Sequence, residues 1–326
     1  MVNRTTIRVG IIGAGSAGRR HALAYRQLGD VQVMGIVDPA VARGEAVARE
    51  VGSEQFSEAT SRFWDSVDIV SVCAPHSLLA PAALQAIEHN KPLLLEKPMA
   101  LSLSDADEII AKAEQAGVQL MVGFVHRFRA EVQAARQMLD EGRIGNPTFA
   151  VEHMISGGGS QPSWIWKRSF AGGGVVLYNG VHGLDRLRWL IGSEFTEVFA
   201  RARTVVHDAD VEDVLLGTLT FANGVVASYV QHIAPFPLPE GWRSEFYGTD
   251  GALLIANGSL SANDMTRTVA ITTQREDRFL AEVTEFVSAV ASDRQPAITG
   301  GDGRAVLAAA LAIYESVETG RPARIA

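Results

Sequence analysis

Apolar positions in the first third of the chain fall in short, dense runs separated by stretches of mixed polarity. The runs Ile7–Ile12, Val31–Val37, Ile69–Cys73, Leu93–Leu95 and Val118–Gly123 predict strands of a parallel sheet covered on both faces. The intervening stretches Ala17–Leu28, Pro39–Glu50, Leu78–His89 and Leu103–Ala116 predict helices. The last is expected to begin near Ser104, with Asp107 three residues on as a variant capping box and Gly117 as the stop. Strands alternating with helices in this way predict a doubly wound sheet.

After Gly123 the rhythm changes. A helix is expected over Arg129–Glu141, ending near Gly142. Strand-like runs follow at Thr148–Met154, Glu197–Val206, Asp213–Phe221, Val225–Ile233, Ser244–Thr249, Gly251–Ala256 and Val269–Thr273. Asn223-Gly224 is a strong hairpin signal between two of them. Helices are expected at Phe279–Ala291 and Gly303–Glu318. The Gly-rich piece Ser156–Ser160 reads as a mobile loop over a cleft.

A chain of 326 residues is long for one core and favours two domains. A net charge of −8 argues against a broad nucleic-acid face, though not against a local basic pocket. No apolar run reaches membrane-spanning length, and the first residues show no signal-peptide layout. Cys73, the only cysteine, excludes an internal disulfide and a thiolate metal cluster. A cytoplasmic enzyme fits this composition.

The chemistry begins at V9-G-I-I-G-A-G-S-A-G18, a strand running through glycines into a helix. Gly13 permits the tight turn, Gly15 lets backbone approach a pyrophosphate, and Gly18 lets the helix pack closely on the sheet. The phosphates would lie over the helix N-terminus, against the backbone of Gly13, Gly15, Ser16 and Ala17. Asp38 lies 20 residues past Gly18, at the distance expected for an acid on the adenosine ribose. Such an acid repels a 2′-phosphate, so NAD is favoured, with NADP the alternative if Arg43 or Arg49 turns toward a phosphate. Cys73, Ala74 and Pro75 end the third strand, where backbone lines the adenosine side. His76 is placed to approach the cofactor or to sit exposed. The fold class expected is therefore α/β. An N-terminal Rossmann sheet spans 1–123. An α/β domain with a large, mostly antiparallel sheet spans 124–326, and its terminal helices are able to pack back toward the first domain.

Glu96-Lys97-Pro98 follows the fourth strand at the carboxyl edge, where ligands bind. Lys97 is either a hydrogen-bond donor to a reacting oxygen or a surface lysine. In G172-G-G-V-V-L-Y-N-G-V-H-G-L-D185, three glycines make a flexible approach to a helix, and Tyr178, His182 and Asp185 fall on one helix face. His182 suits proton transfer from a carbinol oxygen. The alternative packs it against Leu184, Leu187, Trp189 and Leu190. His126 and Arg127 follow the fifth strand and point to substrate or the nicotinamide ribose, with a structural salt bridge as the other reading of Arg127. Trp164 and Trp166 are candidate sugar-stacking walls or packing residues. Lys167 beside them is a donor to hydroxyls or a carboxylate. His153 ends a strand near the pocket. His21 and His89 read as structural. His207, Asp208, Asp210, Glu212 and Asp213 read as an acidic turn, with no metal.

Together the glycine motif, Asp38, Glu96-Lys97-Pro98, G123-F-V-H-R-F128 and G180-V-H-G-L-D185 resemble the Gfo/Idh/MocA oxidoreductases over nearly the whole chain. The resemblance implies an open C-terminal sheet that serves in dimer or tetramer contacts. It also implies reversible hydride transfer between NAD(P) and a hydroxyl or keto carbon of a sugar, cyclitol or related polyol. Lys97 matches the family's catalytic lysine and His182 its catalytic histidine. Glu96 matches a residue near the nicotinamide ribose. Many members carry an aspartate four residues before the histidine. This chain has Tyr178 there, then Asn179, so Tyr178 is the candidate to share proton transfer and Asn179 to meet substrate. Two other readings stand beside the dehydrogenase. One is an NAD-assisted glycoside-cleaving or epimerising enzyme that recycles its cofactor. The other, less favoured, is a non-catalytic dinucleotide sensor.

Overall fold

The computed structural model describes residues 6–157, 161–236, 241–256, 258–264, 268–272 and 277–325. It divides the chain into two compact units. The first is residues 1–125 with 277–304, and the second is 126–276 with 305–326.

The first unit opens β1 (Ile7–Ile12), α1 (Ser16–Tyr25), β2 (Val31–Val37), α2 (Val41–Val51), β3 (Glu54–Phe56), α3 (Ser61–Ser66), β4 (Ile69–Val72), α4 (His76–Glu88), β5 (Leu93–Glu96), α5 (Leu103–Ala116) and β6 (Leu120–Gly123). Among the described residues the strands form one parallel sheet in the order β3-β2-β1-β4-β5-β6. Every residue of β4, β5 and β6 is buried, as expected of strands covered on both faces. The sheet reverses direction of growth between β1 and β4, so their carboxyl ends flank the crevice where such folds bind ligands. β3 and α3 were not expected. They hold only three and six residues, too few for a period to show. The cap of α5 also differs. Ser102, not Ser104, accepts from the Asp105 N–H at 3.1 Å, and Asp107 pairs with Arg304. Ser102 alone has the extended backbone that an N-cap needs.

The second unit contains α6 (Ala130–Asp140), β7 (Pro147–Gly157), α7 (Arg168–Ala171), α8 (Val181–Ile191), β8 (Phe195–Arg203), β9 (Val214–Phe221), β10 (Val226–Ala234), β11 (Gly241–Gly248), β12 (Gly251–Ala256), β13 (Ser259–Asp264) and β14 (Thr268–Ile271). Then α9 (Arg278–Ala291) and the first turn of α10 (Gly300–Thr319) belong to the first unit. The rest of α10 and β15 (Ala323–Arg324) belong to the second. The described strands form a mixed, mostly antiparallel sheet in the order β14-β13-β12-β11-β7-β10-β9-β8-β15. Its parallel pair, β7 with β10, is central, with Tyr229 opposite Glu152. Alternation sets the two faces. In β9 the odd positions are buried and the even ones open to solvent, and β7 buries Ala150, Glu152 and Met154. α8 covers β7 on that buried side, and α6 covers β12 and β13. Gly224 (φ +88°) closes the β9–β10 hairpin. Of the expected loop Ser156–Ser160, the first two residues end β7 and 158–160 lie outside the described residues, as does Thr273. Among the described residues no helix is long and apolar enough to cross a membrane.

Candidate active site

At the start of the first unit, Gly13 takes φ +100°, and a Cβ there would lie 2.4 Å from the Cys73 carbonyl oxygen. A Cβ on Gly18 would lie 1.8 Å from the Gly13 oxygen. Both positions are filled by backbone, so only glycine closes the turn. Around a Cβ on Gly15 nothing lies within 4 Å, so open space sits above the N-terminus of α1, where Ser16 and Ala17 begin the helix. That cradle fits a pyrophosphate. Asp38, 2% exposed, accepts from the Ala14 and Ala40 N–H groups, each at 2.8 Å, and from Arg43 at 2.7 and 2.9 Å. Burial opposes its charge. Arg43 and the two backbone donors nevertheless hold the carboxyl below the usual carboxylate range. It stays an acceptor, suited to a ribose hydroxyl. Cys73, Ala74 and Pro75 follow β4, and His76 starts α4 buried rather than exposed. Burial, then Glu96 and Glu282, push the Cys73 thiol up, so it is no thiolate nucleophile.

β5 ends at Glu96, and the Lys97–Pro98 peptide is cis. Lys97 is half-buried, and burial pushes its ammonium pKa down while Glu96 opposes the shift. Glu96 accepts the Lys97 N–H at 3.1 Å, and its other oxygen lies 3.3 Å from His21 Nε2. Despite burial, His21 and Lys97 keep the Glu96 carboxyl low. His21 is fully buried, 3.7 Å from the Cys73 sulfur and 3.6 Å from Glu282. In the sequence His21 reads as structural, and the structure places it beside Glu96, Cys73 and Glu282. One signal was present: His21 lies one turn past Gly18, on the helix face that meets the sheet. Glu282 arrives from α9, more than 180 residues beyond Glu96, and no local pattern marks it. His89, by contrast, stacks on Trp64.

In the second unit the glycine triplet is tight rather than flexible. A Cβ on Gly174 would lie 1.8 Å from the Glu212 oxygen, and one on Gly173 1.9 Å from the Tyr314 hydroxyl. Glu212 accepts from the Gly174 and Val176 N–H groups and from Tyr314, which fastens the start of the helical segment. Residues Val176–Gly180 form a π-helical turn running directly into α8. Insertions of this kind are frequent at functional sites. Tyr178 and Asn179 lie in that turn. Tyr178 donates to Gln161 Oε1 at 2.9 Å, its ring edge-on to Trp164, and Asn179 reaches Ser156 at 3.4 Å. His182, 6% exposed, stacks on His126 with ring centres 4.3 Å apart, rather than packing into the apolar strip. Asp185 pairs with Arg127. Their bonds of 2.6 to 3.1 Å are buried, and Arg127 lies over Trp189. Arg127 therefore anchors α8.

The remaining candidates spread apart. Trp166 stacks on His207, and Lys167 is exposed. His153 lies on the sheet face opposite Glu152 and α8, with Arg243 across from it in β11. Asp213 accepts from the Val205, Val206 and His207 N–H groups, which explains the acidic turn. Among the described residues no group of three or more His, Cys, Asp or Glu could hold a metal ion.

Residues 7–124 match the oxidoreductase family with an NAD-binding Rossmann fold, and residues 132–254 match the Gfo/Idh/MocA C-terminal domain. A 1,5-anhydro-D-fructose reductase of Ensifer adhaerens is 30% identical over 98% of both chains. A scyllo-inositol 2-dehydrogenase (NAD(+)) of Bacillus subtilis (strain 168) is 27% identical over 98% of this chain and 96% of the other. The crystal structure of an aldose-aldose oxidoreductase from Caulobacter crescentus, complexed with glycerol, superposes with a TM-score of 0.88 at 25% identity. That match covers 98% of this chain and 99% of the other.

Proposed function

The chain belongs to the Gfo/Idh/MocA oxidoreductases, and from that premise we propose that Lys97 and His182 carry its hydride-transfer chemistry on a sugar, cyclitol or related polyol. It is an NAD-dependent dehydrogenase or reductase. Bound NAD supplies the hydride acceptor in one direction, and NADH the donor in the other. Gly13, Gly15, Ser16 and Ala17 would seat the pyrophosphate and Asp38 the adenosine ribose. Cys73, Ala74, Pro75 and His76 would line the adenosine side, and Glu96 the nicotinamide ribose.

Lys97 would hydrogen-bond the reacting oxygen. Its lowered pKa makes the ammonium a better proton donor than a free lysine, which favours alkoxide character in oxidation and polarises the carbonyl in reduction. His182 would take the hydroxyl proton and return it in reverse. Tyr178 supplies a hydroxyl where many relatives place a carboxylate, and Asn179 a neighbouring amide. With Asp185 held by Arg127, this helix brings no unpaired carboxylate to the substrate. Trp164, edge-on to Tyr178, would be a wall for the substrate. The observation that carries the reading is His182 buried on α8 just past the π-turn that holds Tyr178.

The test is NADH production with inositols, aldoses and anhydrosugars, and NADH consumption with their keto forms. The Ensifer adhaerens relative's name puts 1,5-anhydro-D-fructose first in the second panel. Lys97→Ala and His182→Asn are each expected to lose roughly a hundredfold or more in kcat while still binding NADH. Product without net change in NADH would replace this reading with internal cofactor recycling.

The open face of the large sheet carries Phe149, Phe199, Leu216, Val226 and Tyr247, all exposed. Exposed apolar side chains on one sheet face fit a second copy of the chain, so the enzyme is read as a homo-oligomer.

A further inference from the structure

The planes of His126 and His182 are 8° apart, so the two imidazoles lie nearly parallel, ring on ring. At the edge of the His126 ring, Nδ1 lies 2.6 Å from Arg186 Nη1. A guanidinium carries only donors and does not lose its proton in proteins, so His126 Nδ1 must be the acceptor. The proton of the neutral ring is then on Nε2. A second proton would have to enter at Nδ1 and set one N–H against another.

Arg186 is not free to turn away. Its Nε donates to Ser244 Oγ at 2.8 Å, Nη2 pairs with Glu152, and Ser244 in turn donates to the other Glu152 oxygen at 2.6 Å. The guanidinium lies 4.4 Å from the Trp242 ring centre, and Arg186, Glu152, Ser244 and Trp242 are all buried. The charges around the pair come from several elements and offset one another. Arg186 of α8 is met by Glu152 of β7, and Arg127, next to His126, by Asp185 of α8, one turn past His182. Arg129, over the Trp242 ring at 4.9 Å, is 3.6 Å from Glu131 of α6.

We infer that Arg186 holds His126 as a permanently neutral imidazole, protonated at Nε2, and that this ring positions His182 and stabilises its protonated form. The inference rests on His182 being the proton-transfer group. A neutral ring face attracts a cation stacked on it, whereas two imidazolium rings at this separation would repel. Locking His126 neutral removes the doubly charged state and leaves His182 as the one member of the pair that changes charge. His126 is thus a positioning residue.

The direct test is nitrogen NMR on the intact, unsubstituted protein labelled at its eight histidines. His126 should show a protonated Nε2 and a bare Nδ1 from pH 5.5 to 8.5, with no titration. A titrating His126, or one protonated at Nδ1, overturns the inference. Kinetics supply the second test. Oxidation requires neutral His182, so kcat/KM rises with pH through the His182 pKa. His126→Ala withdraws the stacked ring and should move that acid limb to lower pH by roughly half to one unit. His126→Phe keeps a ring face and should restore it. An unmoved limb in the alanine variant, or failure of phenylalanine to restore it, counts against the positioning role. Failure of the underlying reading has a different signature. His182→Asn would retain turnover, while the NMR result would still decide the state of His126.

Discussion

At the residue scale, the proposal that Asp38 sets the cofactor preference is open to a direct test, because Arg43 lies against it. The carboxylate stays charged and acceptor-only, and it repels a 2′-phosphate. Arg43 already lies on it and would be released by its loss. Asp38→Ser is therefore expected to weaken NAD use by roughly ten- to a hundredfold, the worth of a charge-assisted hydrogen bond, and to raise the NADP-to-NAD ratio of kcat/KM. An unchanged ratio in steady-state assays would remove Asp38 from the ribose site. Glu282 gives a pH prediction. Burial, then the neighbouring Glu96, push its carboxyl well above the usual range. The unfolded chain loses this proton first as pH rises, so the stabilising contribution is whole below the ordinary glutamate pKa. It shrinks by about 1.4 kcal/mol per pH unit until the folded pKa is passed. Glu282→Gln removes that dependence. Its gain in Tm over the parent should grow between pH 4.5 and 7, and a gap that stays constant would refute the raised pKa.

At the element scale, the segment from Gly172 to Ile191 is set by close packing. Gly174→Ala drives a Cβ into the Glu212 backbone, which cannot swing aside as a side chain would. A loss of about 1–3 kcal/mol or more is expected in urea denaturation, and a neutral substitution would show that the segment is loose. Tyr178 on a helical segment ahead of His182 could be read from spacing. The π-turn could not, because it depends on Glu212 and Tyr314, which hold the segment from elsewhere in the chain. The same distinction explains the α5 cap. Two serines, Ser102 and Ser104, stand at the start of the helix, and only backbone geometry selects Ser102 as the cap.

At the scale of the molecule, the open face of the nine-stranded sheet carries exposed apolar side chains. Leu216 is 60% exposed in the middle of β9. Leu216→Glu places a charge there without touching the buried face. It is expected to reduce the sedimentation coefficient to that of a monomer while leaving the circular dichroism unchanged. An unaltered oligomer would direct the search to another surface. The return of residues 277–304 to the first unit belongs to this scale as well. α9 packs on α1 and brings Phe279 within 5.9 Å of the His21 ring, a partnership between residues about 260 positions apart.

The sequence by itself determined what local periodicity and stereochemistry control. It held the strand–glycine–helix start, the acid after β2, the alternation that makes a parallel sheet, the Asn223-Gly224 hairpin, and the placing of Lys97 at the end of β5. Each of these depends on a handful of adjacent residues with strong intrinsic preferences. Only the tertiary structure decided which charged groups meet. Arg127 faces Asp185, Arg186 faces His126 and Glu152, and His21 lies between Glu96 and Glu282. A buried ion or imidazole takes its partner from whatever the fold brings within about 3 Å, and that distance is set by packing between elements far apart in the chain.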